Sequence, residues 1–247
     1  MRIPKLVRGT RERGFFAEIA VIVIGVLIAL AAGQLLEEWN WGRKVDAGKQ
    51  QLLQEARINI EFAAEQVAVQ PCLNAQLETL RDRVLSSGAS LEPAPIYEDD
   101  TSRFVFRAPS RPYPDNSWQA LLDDGTSVHM KDQQREALTG IYSAADVLNH
   151  LGQATDLTKG RLMTLSHALP LDAGTRVMFV ASLDEQQARS NLQSLAAAQM
   201  LVAYRAFGAS FPDSGDALLA DSGTVAFCRK HKLPVADWLE VIRAPSE

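Results

Sequence analysis

The chain has 247 residues, and its content of 47 % hydrophobic and 22 % charged residues excludes both an intrinsically disordered protein and a coiled-coil rod. Its two cysteines exclude a cysteine-rich scaffold and a four-cysteine zinc site. The formal net charge of −5 is unevenly distributed, because residues 1–14 carry +4 and the remainder −9. An acidic remainder is poorly suited to phosphate backbones, so no nucleic-acid partner is expected.

Residues 15–36 predict a transmembrane helix. They read FFAEIAVIVIGVLIALAAGQLL, and Glu18 is their one ionisable side chain. A helix of this length spans about 33 Å, which matches the hydrocarbon core of a bilayer. Aromatic residues of the kind that anchor a helix at the membrane interface flank both ends: Phe15, Phe16, Trp39 and Trp41. The lipid bilayer is therefore the first expected partner.

The basic residues predict the orientation of this helix. Five lie within residues 1–14, whereas Arg43, Lys44 and Lys49 are the only ones in the fourteen residues after the segment. Since basic flanks stay cytoplasmic, 1–14 is expected to be a cytoplasmic tail and 37–247 a periplasmic domain, on a single-pass protein of the bacterial inner membrane. A cleaved signal peptide is the alternative, because Ala29-Leu30-Ala31 has the small-x-small form. The length of the apolar run and the presence of Glu18 favour an uncleaved anchor.

The run from Glu18 to Leu30, followed by Trp39-Asn40 and basic residues, resembles the leader of an uncharacterised family of bacterial single-pass inner-membrane proteins. That leader has the form E-I-x4-I-G-V-L-I-A-L followed by W-N, and the resemblance covers about residues 15–45. The segment from Trp118 to Gly125 and Tyr142 also look like parts of the helical outer domains of such proteins. The resemblance implies a location and an architecture, and no activity.

A ridge of small residues lies on one face of the predicted anchor. Gly25, Ala29 and Gly33 are four residues apart, a spacing that allows two transmembrane helices to approach closely. It predicts a homodimer through the transmembrane helix; the alternative is that Gly and Ala are simply common in such helices. Glu18 is expected at the cytoplasmic interface, where a helix N-terminus tolerates negative charge, rather than as a functional carboxylate within the membrane.

Apolar residues at helical spacing predict that residues 37–247 form a mainly α domain, a bundle of four or five amphipathic helices. One stripe is expected to end by Pro71 and a second to stop at residues 86–88, while Gly42 and Gly48 would allow a bend above the bilayer. A long irregular loop, 88–116, follows, with a short strand over 103–107. Such a loop either has a function or is flexible.

Helical patterning resumes at 117–125 and again from about residue 131 to Pro170. Asp172 is expected to cap the next helix, which Gly208 ends. Four residues of that helix recur one heptad apart, on a stripe that a bundle would bury: Ala181, Ala188, Leu195 and Val202.

No catalytic, cofactor-binding or metal-binding residues are predicted. The common phosphate, dinucleotide, zinc and nucleophile-elbow motifs are missing, and the four histidines are scattered (129, 150, 167 and 231). The run from Asp221 to Thr224 resembles the active-site turn of aspartic proteases, but those enzymes need a β-rich domain around it, so coincidence is favoured.

The two cysteines allow two interpretations. Basic neighbours at 229–232 would lower the pKa of the Cys228 thiol and make it nucleophilic. A disulfide between Cys72 and Cys228 is favoured, because the cysteine count is even and the expected compartment is oxidising.

These patterns predict a membrane-anchored periplasmic helical domain that acts by binding or scaffolding, with an unknown periplasmic protein partner. A periplasmic enzyme whose site is assembled from distant residues, with the 88–116 loop as a lid, is the first alternative. An extracytoplasmic sensor is the second, weakened by the fourteen residues expected inside the cell. A deep pocket with converging Asp, His or Arg groups would favour an enzyme, and an exposed apolar stripe would favour a partner protein.

Overall fold

A computed structural model describes residues 11–98, 102–212 and 214–243, with side chains described from residue 18 onward. It is mainly helical, and the longest element is α1, Arg11–Ser86, a single helix of 76 residues. The other helices are α2 (Asn116–Asp123), α3 (Asp132–Leu162), α4 (Ala173–Phe207), α5 (Asp216–Leu219), α6 (Gly223–Lys230) and α7 (Trp238–Arg243). Short 3-10 turns follow α2 and α3, at Thr126–His129 and Met163–Ser166.

The core lies between α1, α3 and α4. Helix α4 runs antiparallel to α1, because the guanidinium of Arg176 donates to the carbonyl of Val84, whereas Asn59 donates to the Tyr204 hydroxyl at the other end, over 3.0 Å. The three short C-terminal helices close the same core, and Trp238 of α7 is fully buried. The described chain is therefore mainly helical, with its core packed against α1 between Val45 and Val84.

Helix α1 corrects two sequence predictions. It neither bends into separate elements at Gly42 and Gly48 nor ends at Pro71, which lies within it. A proline inside a helix removes one hydrogen bond and costs about 3 kcal/mol. Tertiary contacts hold this part of the helix in place: Ala68, three residues before the proline, accepts a hydrogen bond of 2.8 Å from the backbone of Ala236, and Cys72, directly after it, is fully buried. The spacing of prolines alone could not show these contacts.

The helix boundaries elsewhere agree with their predicted signals. Helix α1 ends at Ser86. The Asp172 carboxylate accepts a hydrogen bond of 2.7 Å from the backbone of Thr175 and caps α4. Gly208 ends α4 with φ of 102°, a left-handed conformation that favours glycine.

The connection between α1 and α2 is irregular but packed. It contains a two-residue antiparallel pair, β1 (Tyr97–Glu98) with β2 (Arg103–Phe104), the second of which falls in the predicted strand. Backbone hydrogen bonds of 2.7 and 2.8 Å join Leu91 to Leu169 and Ala94 to Leu165. Because the side chains of Leu91, Ala94 and Phe106 are buried, the described parts of this connection pack as a layer of the core rather than as a flexible loop.

Candidate functional site

The N-terminal third of α1 stands apart from the domain. Residues 18–40 are all exposed, including large apolar side chains such as Val21 at 70 % and Leu35 at 67 %. By length and composition, α1 is the one helix in the described part of the chain that could cross a membrane. The ridge residues Gly25 and Gly33 have open space where a Cβ would lie, so nothing in the described chain covers the ridge. Phe15 and Phe16 lie outside the residues whose side chains are described.

Where α1 enters the domain, aromatic and basic side chains form a collar, which comprises Trp39, Trp41, Arg43, Lys44 and His129. The rings of Trp41 and His129 stack with their centroids 3.9 Å apart and their planes 15° apart. Arg43 lies over the Trp39 ring at 4.9 Å, and Lys44 over the Trp41 ring at 4.2 Å. His129 comes from the turn after α2, so the collar joins α1 to the domain's edge.

Above the collar, a buried carboxylate organises the junction of α1, α2 and α3. The Tyr142 hydroxyl donates to Glu55 over 2.6 Å, and the backbone N–H of Ser117 donates to the other carboxylate oxygen over 2.9 Å. Tyr142 also stacks on Trp118, with ring centroids 5.8 Å apart. Burial raises the pKa of Tyr142, and raises that of Tyr204 to about 12, so both phenols stay protonated. This network fixes α2 and α3 against α1, and the Glu55 carboxylate and the Tyr142 hydroxyl serve as structural hydrogen-bond partners within it.

A second buried carboxylate, Glu65, lies farther along α1. It accepts a hydrogen bond of 2.6 Å from the Ser222 hydroxyl and an ion-pair contact of 2.9 Å from Arg111. The Ser222 oxygen in turn accepts from the backbone of Val225 and caps α6. The run from Asp221 to Thr224 that resembles a protease turn is therefore the start of a helix, fixed to α1 by a serine.

The two cysteines form a disulfide in the structure. Cys72 of α1 and Cys228 of α6 are bonded, with their Cα atoms 6.0 Å apart, and both residues are fully buried. The alternative of a nucleophilic Cys228 is inconsistent with this bond. Next to it, an aromatic cluster covers the C-terminal segment: the Phe227 ring lies 5.5 Å from that of Phe104 and 4.5 Å from that of His231.

The heptad stripe of α4 faces solvent, contrary to prediction. Ala181 and Ala188 are exposed, Leu195 is 55 % exposed and Val202 51 %. Leu192, on the same side, is 48 % exposed. We call these five residues the α4 row. The spacing correctly identified one face of the helix, but a period does not say which face turns inward.

The face of α4 that does turn inward carries three polar residues, Gln186, Ser190 and Gln193, all buried. Gln186 donates to Ser190 over 3.3 Å and to Thr155 of α3 at the same distance, and Thr155 donates to Gln193 over 3.4 Å. Because these amides and hydroxyls satisfy one another, the polar face can be buried. Helix α4 therefore has an exposed apolar row and a buried face in which these three polar residues lie among apolar ones such as Leu183, Met200 and Leu201.

One groove, of about 470 Å³, brings a serine, a histidine and two aspartates close together between the loop before α2 and helix α3. Its polar groups are paired in a way that gives no catalytic chain: Ser110 donates to Asp156 over 2.7 Å, while His150 lies 3.3 Å from Asp146. Both members of the second pair are 72 % exposed. Within the described residues, no group of three or more His, Cys, Asp or Glu side chains could hold a metal ion.

Comparisons with protein-family models, with curated proteins and with solved structures gave no match for this chain. The resemblance of residues 15–45 to a bacterial membrane-protein leader therefore stays a prediction. The collar, the α4 row and the apolar part of α1 are the features from which a function can be argued.

Proposed function

We propose that this chain is a single-pass protein of the bacterial inner membrane, with a cytoplasmic N-terminus and a periplasmic helical domain that acts by binding and scaffolding. One observation carries the proposal: residues 19–36, apolar except for Gln34, are exposed on the same helix that forms the centre of the folded domain. An exposed apolar surface of this length is unfavourable in water and matches the thickness of a bilayer. A cleaved signal peptide does not need to continue as the central helix of the mature domain.

The disulfide supports the periplasmic placement. Disulfides persist in oxidising compartments such as the bacterial periplasm and are rare in the cytosol. Here the bond joins the middle of α1 to a segment 156 residues later, so it forms a structural link between distant parts of the domain. This agrees with the orientation that the basic residues of 1–14 predict.

The α4 row supports binding over catalysis. An exposed row of apolar residues on an otherwise acidic outer domain favours a protein contact, whereas the polar groups of the groove between the loop before α2 and helix α3 form no catalytic chain. We assign the row to an apolar helix face of a periplasmic partner protein. Such a face is the usual complement of apolar residues that recur at heptad spacing.

A homodimer through the Gly25, Ala29 and Gly33 ridge would make the molecule a scaffold. At 100° per residue, the α1 residues that contact α4, such as Asn59 and Gln70, lie about 120° to 140° around the helix axis from Ala29. Two copies that meet at the ridge would thus carry their α4 rows on outward sides. Each dimer would present two separate partner-binding faces.

Alkaline extraction and protease protection test the anchor and its orientation. We expect the chain to stay in the membrane pellet at alkaline pH, with its domain degraded by protease added to spheroplasts and protected in intact cells. A domain that is released by alkali, with a mature N-terminus near Ala32, would refute the uncleaved anchor. Protection in spheroplasts would refute the orientation.

A photoreactive amino acid in place of Leu195 tests the α4 row, with the same replacement of Leu157 as the matched control. Leu157 is 69 % exposed on α3, and among the described residues no other large exposed apolar side chain lies within one helical turn of it. We expect one defined cross-linked species from position 195, lost when Leu192→Asp is added, and none from position 157. Equal cross-linking at both positions would refute a specific contact at the α4 row.

Paired substitutions test the ridge. We expect Gly25→Leu with Gly33→Leu to lower dimerisation in a membrane two-hybrid assay, because the larger side chains separate the helices. Ala20→Leu with Ala31→Leu adds nearly as much bulk on roughly the opposite face and is expected to leave dimerisation unchanged. Unchanged association in the glycine variant would refute the ridge as the interface.

A further inference from the structure

The collar and the turn after α2 form the lower edge of the domain, next to the apolar part of α1. In this turn, Thr126–His129, the side chains of Thr126 and Ser127 are buried, whereas Val128 is 65 % exposed. Gly125 enters the turn with φ of 75°, and the Asp124 carboxylate accepts a 2.9 Å hydrogen bond from the backbone of Thr126. A fixed turn thus presents one apolar side chain outward.

The turn and helix α2 before it are each held against α1 at one point. The His129 ring stacks on Trp41, and Leu121 packs so closely on Gly48 that a Cβ there would lie 2.6 Å from a Leu121 methyl carbon. Because α1 is continuous from the apolar segment through Trp41 to Gly48, the position of the turn along the helix axis is fixed relative to the apolar segment. The sequence distance can therefore be converted into a height above the bilayer.

That height brings Trp41, and the turn whose His129 stacks on it, to the outer boundary of the lipid headgroups. Trp41 lies five residues beyond Leu36, the last residue of the apolar run, which is a rise of about 7.5 Å along a helix. The headgroup layer on each side of a bilayer is roughly 5 to 7.5 Å thick. Helical side chains lean toward the N-terminus, so the Trp41 ring and the His129 ring stacked on it reach back toward the membrane. A typical tilt of about 20° would bring one edge of the domain lower still.

The chemistry of the collar fits this position. Trp39 is 57 % exposed, and tryptophan rings favour the headgroup level. A shallow groove of about 620 Å³ beside Trp41 is lined by the basic groups of Arg43 and Lys44 together with Asn40 and the carboxylate of Glu37. Both signs of charge are therefore present, as on a zwitterionic phospholipid headgroup.

We propose that the turn Thr126–His129 is a second membrane contact, in which Val128 enters the phospholipid headgroup layer while the collar binds headgroups around α1. The inference rests on the proposed membrane anchor. It means that the domain lies directly on the bilayer surface instead of standing away from it on a stalk. The distal ends of α1 and α4 then point away from the membrane and carry the upper part of the α4 row.

Three variants of the full chain, each with one added cysteine, test this contact in vesicles of equal parts phosphatidylethanolamine and phosphatidylglycerol. Because both native cysteines are in the disulfide, an added cysteine is the one free thiol and can carry an environment-sensitive fluorophore. The variants are Val128→Cys in the turn, Val177→Cys as a matched control, and Val26→Cys in the anchor. Val177 is 67 % exposed, and it follows Arg176, which contacts Val84, about 65 Å along α1 from Trp41.

We expect a nitroxide on the lipid headgroup to quench the label at position 128 several-fold more than the label at position 177. Equal quenching at these two positions, whether weak or strong, would overturn the membrane contact, because the domain would then stand away from the bilayer or lie flat on it. A nitroxide on the acyl chain should quench position 26. If it does not, the anchor itself is wrong, whereas quenching at 26 without preferential quenching at 128 refutes only the contact of the turn.

Discussion

Removal of the Cys72–Cys228 disulfide should cause a large loss of stability. The variant Cys72→Ala with Cys228→Ala opens a loop that the bond closes across 156 residues. In the loop-entropy model, closing a loop of this length stabilises the folded state by about 5 kcal/mol. Since domains are stable by roughly 5 to 15 kcal/mol, the variant would lose a third or more of its stability.

Two features of the structure adjust this estimate. Both cysteines are fully buried, so truncation to alanine also removes packed sulfur atoms and adds to the loss. Gln76 donates to the Cys72 sulfur over 3.4 Å and also to the Arg107 carbonyl over 3.1 Å, so its amide keeps a partner in the variant. The loss should therefore be dominated by the loop term, without a penalty for an unpaired amide.

Urea unfolding of the full chain in detergent micelles measures the effect, with the fluorescence of the buried Trp118 and Trp238 as the signal. The oxidised wild type, the wild type unfolded and refolded with reductant, and the double variant should be compared. We expect the second and third to have similar, much lower midpoints. A double variant within about 1 kcal/mol of the oxidised wild type would refute the loop-closure reasoning.

Three further perturbations have defined outcomes. Tyr142→Phe should lower the free energy of unfolding by about 1.5 to 3 kcal/mol in urea titrations, because it removes a hydrogen bond to the buried Glu55 carboxylate. An unchanged free energy of unfolding would mean that a water molecule replaces the phenol hydroxyl. Gly48→Ala should be less stable than Gly42→Ala by about 1 to 3 kcal/mol, since only the first Cβ meets a neighbour, and equal midpoints would contradict that close contact. Asp172→Ala should lower the urea midpoint at neutral pH. Hydrogen bonds from Thr175 lower the pKa of Asp172 below its ordinary value of 3.8. The contribution of the cap to folding stability is therefore present above pH 3.8 and is lost as the pH falls through the lower pKa of the folded state. A difference between the two urea midpoints that persists in strong acid would contradict this.

The local elements of the fold could be predicted from the sequence because each depends on contacts between neighbouring residues. Asp172 and Gly208 bound α4 through contacts made within one turn, so their identity alone predicts their role. The pairing of the cysteines was also predictable, since two cysteines allow only one intramolecular bond. The apolar segment of α1 was evident from composition alone, because its residues are apolar on almost every side of the helix.

The orientation of helix faces needed the tertiary structure. The heptad spacing of Ala181, Ala188, Leu195 and Val202 predicted a helix face correctly and its burial wrongly. The face that is buried packs against α1 and α3, elements distant in sequence, and it includes Leu183 and Met200. The buried carboxylates Glu55 and Glu65 were missed for the same reason. Their partners, Tyr142 and Ser222, follow them by 87 and 157 residues, and no local pattern signals such pairs.

The sequence by itself separates a basic end and an apolar segment from an acidic helical domain. It can do so because charge and hydrophobicity belong to each residue wherever that residue lies in the fold. The sequence did not say how closely that domain follows the apolar segment. The tertiary structure decided this by continuing α1 through Gly42, Gly48 and Pro71 and by stacking His129 on Trp41. Contacts between distant residues keep the helix continuous where its own residues favour a break, and they hold the edge of the domain against α1 at Trp41.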